Sequence, residues 1–326
     1  MANWNALQWD GGPGHYEVYY LTVTDRPTGV GLWIRYTMLA PLDGSPTCSL
    51  WLAAMDPARG AVSAHKSSHP ASELAARAEP FELQLHGATL SDHGMSGGVG
   101  GASWDLRWEP RLPAAEHVHP LLRRARLAKT VLVLPHPDLE VTGQVSLDGR
   151  DLRLELARGA QAHLWGSKHA ARWVWAHCND FESPDGTPRP DCYLDGVSVF
   201  VPRFGRELGP STPVVGRFEG RDFRSTGPIR VARNSSVFGL TSWRLTAADG
   251  KRRVTAEVEA DRDAMVGVTY HDPDGERAYC YNTETASMRV RVWDGDRLAD
   301  DLTAPGRAHF EYAQREPVPG VELRVD

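Results

Sequence analysis

Residues 139–157, LEVTGQVSLDGRDLRLELA, decide the fold. Leu139, Val141, Val145 and Leu147 fall at alternate positions before Asp148–Gly149, and Leu152, Leu154 and Leu156 do so after it. A period of two puts those side chains on one face of an extended strand. Asp-Gly supplies the two positive-φ residues of a tight hairpin turn. The segment therefore predicts two antiparallel strands. The same alternation spreads outward in both directions: HYEVYYLTVTD (15–25), GLWIRYTMLA (31–40), CSLWLAAMD (48–56), FELQLHGATL (81–90) and SWDLRWEP (103–110) before it; ARWVWAHCNDF (171–181), CYLDGVSVFVPRF (192–204), PVVGRFEGRDF (213–223) and HFEYAQR (309–315) after it. In FGLTSWRLTAADGKRRVTAEVEA and AMVGVTYHDPDGERAYCYNTETASMRVRVW, ADGK and PDGE mark further tight turns. Only Pro113–Lys129, interrupted by Pro120, and the shorter PASELAARA (70–78) read as helices.

Many short strands joined by turns, with 31 glycines and 23 prolines spread over 326 residues, predict an antiparallel all-β protein of sandwiches or barrels. The two halves are alike. Each opens on an aromatic alternating strand, HYEVYYL or ARWVWAHC, and runs through a similar series. Two tandem barrel-like domains are expected, 1–168 and 169–326, meeting near Gly166–Ala171. A net charge of −6 argues against a nucleic-acid partner. No apolar run is long enough to span a bilayer. MANWNALQWDGGPGHYEVYY has neither the basic nor the apolar region of a secretory signal, so a cytoplasmic location is expected. The four cysteines, Cys48, Cys178, Cys192 and Cys280, form no CxxC pair and read as reduced, buried thiols, although a Cys178–Cys192 bridge is conceivable.

Several motifs invite chemistry. GMSGG (94–98) has the spacing of a serine-nucleophile elbow, but that turn needs a strand before it and a helix after it. Here it reads as a flexible glycine-rich loop. HKSSH (His65, His69) and HVH (His117, His119) lack the carboxylate or cysteine spacing of a metal site and read as exposed loop histidines; no metal is expected. Glu17 shares a face with Tyr19, Leu21 and Val23, and Arg35 shares one with Trp33 and Thr37. If both faces are internal the two charges could pair inside the first barrel, as buried charges must. In ARWVWAHCNDF, Trp173, Trp175, His177, Asn179 and Phe181 alternate onto one face. Such a face is either packed core or a wall for a hydrophobic ligand carrying a carbonyl or hydroxyl.

EVYYLTVTD, GLWIRYTMLA, GAQAHLWG (159–166), RWVWAHCNDF and YHDPDGERAYCYNTETASM (270–288) together resemble the AttH-like group, which is related to carotenoid hydratase (hydroxyneurosporene synthase), tocopherol cyclase and the fungal decalin-forming Diels–Alderases. The resemblance covers nearly the whole chain as an order of segments. It implies two lipocalin-like (calycin) domains, a hydrophobic isoprenoid- or polyketide-like ligand within or between them, and cyclisation or hydration without a cofactor. In several relatives the segment matching GAQAHLWG reads G-Y-x-D-H-N-W-G. Ala162 and Leu164 stand at its Asp and Asn positions, while His163, Trp165 and Gly166 remain. The expectation is thus a cofactor-free cyclase, isomerase or hydratase. Trp173 and Trp175 would stack on substrate, His177 and Asn179 would polarise it, and Glu17 would act as acid if its pKa is raised. Trp33, Arg35, His163, Trp165 and Phe181 would complete the ligand wall. The alternative is a non-catalytic carrier of a lipophilic small molecule.

Overall fold

The computed structural model describes residues 3–119, 123, 129–203 and 206–326. The first sheet has twelve antiparallel strands. They are β1 (His15–Asp25), β2 (Gly31–Ala40), β3 (Thr47–Asp56), β4 (Ala61–Pro70), β5 (Leu74–Ala78) and β6 (Phe81–Leu85). There follow β7 (Ala88–Ser91), β8 (Gly94–Val99), β9 (Ala102–Trp108), β10 (Ala115–Glu116), β11 (Thr130–Leu147) and β12 (Arg150–Gly166). Their order is β4-β3-β2-β1-β12-β11-β9-β8-β7-β6-β5, with β10 beside β11. The two edges, β4 and β5, are consecutive in sequence and joined by a single 3-10 turn, Ala71–Glu73, so the sheet curls into a nearly closed barrel.

The second sheet has fourteen strands. The early ones are β13 (Arg172–Cys178), β14 (Phe181–Glu182), β15 (Pro188–Arg189), β16 (Tyr193–Arg203), β17 (Arg206–Ser211), β18 (Val214–Phe218) and β19 (Arg221–Ser225). The later ones are β20 (Ser235–Gly239), β21 (Ser242–Asp249), β22 (Arg252–Glu259), β23 (Val266–His271), β24 (Arg277–Asp294), β25 (Arg297–Gln314) and β26 (Leu323–Val325). The main path is β19-β18-β16-β13-β25-β24-β22-β21-β20. Each sheet pairs its first strand with the last strand of a long hairpin: β1 with β12, and β13 with β25.

The opening hairpin forms as its sequence dictates. Leu147 pairs with Arg150 across Asp148 (φ 50°) and Gly149 (φ 78°), the left-handed pair a two-residue turn needs. Two expectations change. GMSGG is strand β8, not a loop. Gly97 is there for space: a Cβ would come within 2.6 Å of Ala88 and 2.8 Å of the Trp104 ring. PASELAARA is the 3-10 turn and edge strand β5 rather than a helix. The helix expected over Pro113–Lys129 falls partly outside the described residues, and its start contains β10. Among the described residues no helix is long and apolar enough to cross a membrane. All four cysteines are free and buried, so Cys178–Cys192 is not a bridge.

Both barrels are filled. Tyr19, Leu21, Tyr36, Phe81, Trp104 and Trp108 pack inside the first. Val174, Phe218, Phe223, Trp243, Tyr281 and Phe310 pack inside the second. A barrel strand with a solvent-facing side alternates apolar and polar. β1, β3 and β13 are instead buried on both faces, because their outer faces meet across a seam between the sheets. Two further apolar clusters lie along that seam, one around Trp33, Trp51, Trp173 and Tyr270, the other around Trp175, Ala160, Ala162 and Tyr193.

Candidate active site

Strand β13 answers the question its alternation poses. Val174, Ala176 and Cys178 point into the second barrel. Trp173, Trp175 and His177 point the other way, into the seam, where Trp175 meets Tyr20 edge-on at 5.7 Å. The alternation stops at the strand end, and Phe181 turns back into the second barrel's core instead of joining that wall. Asn179 Nδ2 donates to Asp138 Oδ1 (2.8 Å), to the Gly159 carbonyl (2.8 Å) and to the Leu139 carbonyl (3.3 Å), tying the end of β13 to the β11–β12 hairpin.

Strand register sets His177 at the centre of a polar row. It lies opposite Asp195 of β16 on one side and His309 of β25 on the other. Glu284 of β24 completes the row, in the stretch between Thr283 and Ala286 where the pairing with β25 slips. All four side chains are buried. His177 Nδ1 is 3.0 Å from Asp195 Oδ2, Trp175 Nε1 donates to both Asp195 oxygens (3.1 and 3.2 Å), and His117 Nε2 lies 2.8 Å from Oδ1. Burial alone would raise the Asp195 pKa, but the adjoining His117 and His177 hold it below the usual carboxylate range. His177 Nε2 has no hydrogen-bond partner.

The other end of the row is the opposite case. Burial, reinforced by the charge of Glu311, raises the Glu284 carboxyl to about 8; a hydrogen bond from Thr22 of β1 offsets this in part. Burial, then the neighbouring His177, pushes His309 well below its ordinary value, so its ring is neutral at pH 7. The tautomer follows from proton counting. Thr24 Oγ1 gives its single proton to the Glu284 carbonyl (2.5 Å) and lies 3.2 Å from His309 Nε2. That contact needs Nε2 to be the donor, which leaves Nδ1 with a free lone pair. Nδ1 has no hydrogen-bond partner and faces Glu284 Oε2 at 3.9 Å. A protonated carboxyl and a neutral imidazole lone pair thus confront each other in a water-poor seam, an arrangement suited to acid–base chemistry. Gly31 of β2 allows this approach, since a Cβ there would lie 2.5 Å from that of Glu284.

Glu17 and Arg35 do not pair. Arg35 stands opposite Tyr20 in the β1–β2 register and Glu17 opposite Met38, which places the two charges on opposite faces. Arg35 lies over the Tyr270 ring at 4.0 Å, with Trp51 at 5.4 Å and Trp33 at 5.5 Å, and its Nε has no hydrogen-bond partner. Glu17 is held by five groups: the Gln8 and Trp9 amides (2.8 and 2.9 Å), His15 Nε2 (3.0 Å), Tyr19 Oη (2.9 Å) and His163 Nε2 (2.8 Å). Burial opposes ionisation, but the hydrogen bonds from His15 and His163 prevail and lower its pKa to about 2. Glu17 is therefore a fixed anion near neutral pH, not a proton donor. His163 Nδ1 contacts the Trp4 carbonyl at 2.6 Å, and Trp165 tilts on the His163 ring at 4.7 Å, so this group fastens the N-terminal segment onto the first barrel.

Two histidine expectations also change. His65 and His69 lie on strand β4, and His69 has a carboxylate neighbour in Glu73. His117 is buried against Asp195 rather than exposed. Asp195, Glu284 and His309 were not singled out from sequence. Their signal was available only as ionisable residues on strands otherwise reading as core.

No family model matches the chain. An uncharacterised protein of Mycobacterium tuberculosis, found in strains H37Rv and CDC 1551, is 27% identical over 292 residues, covering 87% of this chain and 83% of that protein. Solved structures match over almost the full length. A Nitrosomonas europaea protein assigned as an AttH superposes with a TM-score of 0.58 at 13% identity, covering 95% of this chain and 98% of that one. Kievitone hydratase from Nectria haematococca gives 0.55 at 9% identity, covering 96% and 93%. CghA in complex with Sch210972 gives 0.57 at 8% identity, covering 93% and 89%. The chain has the AttH-like fold of paired lipocalin-like barrels, as its segments resemble.

Proposed function

We propose that the chain is a cofactor-independent enzyme that hydrates, cyclises or isomerises a neutral, hydrophobic small molecule of isoprenoid or polyketide type. It divides near residue 168 into two lipocalin-like domains, and the seam between them is the active site. The observation that carries this reading is the buried confrontation of Glu284 and His309. In a hydration, the Glu284 carboxyl gives its proton to an alkene carbon and water adds to the neighbouring carbon. The proton that water sheds passes to His309 Nδ1 and returns to Glu284, so the alkene and one water become an alcohol with the enzyme unchanged. In a cyclisation the same proton polarises a carbonyl while the seam confines the substrate. His177, oriented by Asp195, offers Nε2 to a substrate oxygen. Trp175 and Trp173 supply apolar, stackable walls. Ala162, at the position where the family resemblance implies an aspartate, lies in this seam beside Trp175, and in this reading the acid comes from β24 of the second sheet instead of from β12.

Support also comes from a hydratase of the same fold among the structural matches. The test is mass spectrometry of lipophiles extracted from the wild type and from Glu284→Gln, produced in the same host. The expected result is product on the wild type and its unconverted precursor on the variant, with turnover reduced about 10²–10⁴-fold, the usual contribution of a positioned acid. One identical, unaltered molecule on both proteins makes the chain a carrier and overturns the catalytic reading.

A further inference from the structure

We propose that His69, Glu73 and His86 form a divalent transition-metal site, best suited to Zn²⁺, that fastens the open edge of the first barrel. Their ligand atoms, one from each side chain, all lie within 4.8 Å of one another. The residues come from three places. His69 is near the end of edge strand β4, Glu73 is in the 3-10 turn, and His86 is at the tip of the β6–β7 hairpin. These segments meet where the two edges of the sheet approach, and that junction lacks the backbone ladder found everywhere else around the barrel.

The three side chains are in contact, and one of the two stacked rings must turn for both nitrogen lone pairs to meet at one ion. The His69 and His86 rings stack with centroids 3.5 Å apart and planes 18° from parallel. His86 Nδ1 lies 2.5 Å from Glu73 Oε2, and His69 Nε2 lies 2.9 Å from Ser67 Oγ. His86 holds a left-handed backbone (φ 46°), uncommon for a residue with a side chain, which swings its imidazole toward β4. Two imidazoles and a carboxylate are a recurrent zinc set, with water in the fourth position. Zn–N distances of about 2.0–2.1 Å require the ligand atoms to draw together from their present spacing. The half-exposed or exposed side chains leave room for that movement. Cys48 lies close by but is no ligand. Its Sγ faces the carbonyls of His69 and Pro70 instead of the three ligand atoms. The donor set is N₂O, which separates this site from thiolate-rich structural zinc centres. An edge strand left unpaired is open to association with other chains, and a metal bridging β4 to the hairpin would cover that liability.

The test is calorimetric titration of Zn²⁺ into the full-length chain after chelator treatment and dialysis. The expected result is one equivalent bound, a Tm that rises with Zn²⁺ concentration, and slowed amide exchange in β4 and β5. His69→Gln and His86→Asn should each weaken binding by more than the roughly 10–100-fold typical of losing a group outside the ligand set. Asparagine tolerates the left-handed turn at residue 86, so that variant keeps the hairpin. His65→Gln, on the same strand but outside the cluster, should bind as the wild type does. Unchanged affinity in both ligand variants, or no stoichiometric binding to the wild type, would overturn the proposal.

Discussion

Glu17 and Glu284 are both buried glutamates, each beside a buried histidine, yet they hold their protons in opposite ways. Glu17 accepts from five donors, two of them backbone amides, and is anionic down to about pH 2. Glu284 has a hydrogen bond from Thr22 and a second carboxylate, Glu311, in its field, and keeps its proton to about pH 8. Burial is similar, so the number of donors decides the outcome. A saturated carboxylate is architecture, whereas an undersupplied one keeps a proton to give.

The largest expected effect comes from removing the saturated partner. Glu17→Ala leaves His163 and two backbone amides facing an apolar gap and should cost about 3–5 kcal/mol, as loss of one partner from a buried ion pair does; urea unfolding at pH 7 measures it. The wild type carries the same dependence on acid. Because the folded pKa lies below the unfolded value of 4.5, the stability contributed by Glu17 is complete above that pH and is lost as pH falls toward 2. Glu284 has the reverse sign. Its folded pKa is raised, so the folded state holds a proton the unfolded state has released, and stability falls as pH rises from about 4.5 to about 8. Glu284→Gln should therefore gain on the wild type through that window, by at most roughly 5 kcal/mol above pH 8, with the gap closing below pH 4.5. A pH-independent difference would remove the contrast between the two glutamates. Asn179→Ala should cost about 1–3 kcal/mol through the acceptors it strands. By loosening the seam it should also flatten the alkaline decline, read from the same unfolding series. Smallest of all, His15→Ala takes one of five donors from Glu17 at a half-buried position. A loss of about 0.5–1.5 kcal/mol at pH 7 and an acid midpoint displaced to higher pH are expected.

The contrast also marks how far the sequence could be read. Hairpins such as Leu147–Arg150 were legible because period-two alternation and Asp-Gly turns are local signals. PASELAARA misled because small, helix-favouring residues can also occupy an exposed edge strand, where tertiary pairing overrides propensity. GMSGG reads as a loop because its glycines suggest flexibility, when Gly97 serves to clear Ala88 and the Trp104 ring. Trp173, Trp175 and His177 were found because they alternate within one strand. The sequence did not reveal that they face another sheet instead of a barrel interior. Glu17 and Arg35 each sit on an alternating face, but which faces coincide depends on register, and Tyr20, not Glu17, lies across from Arg35. The pairing of Thr22 with Glu284 joins residues 262 positions apart, and neither strand alone signals it.

The doubly buried outer face of the first barrel has a consequence for synthesis. Tyr20, Trp33 and Trp51 leave the ribosome well before the strands that cover them, β23 to β25. A first barrel that folds as it emerges must wait with an aromatic flank exposed to whatever else is in the cell. The seam that brings acid and base together is thus also an apolar surface left open until the β24–β25 hairpin is made and closes over it.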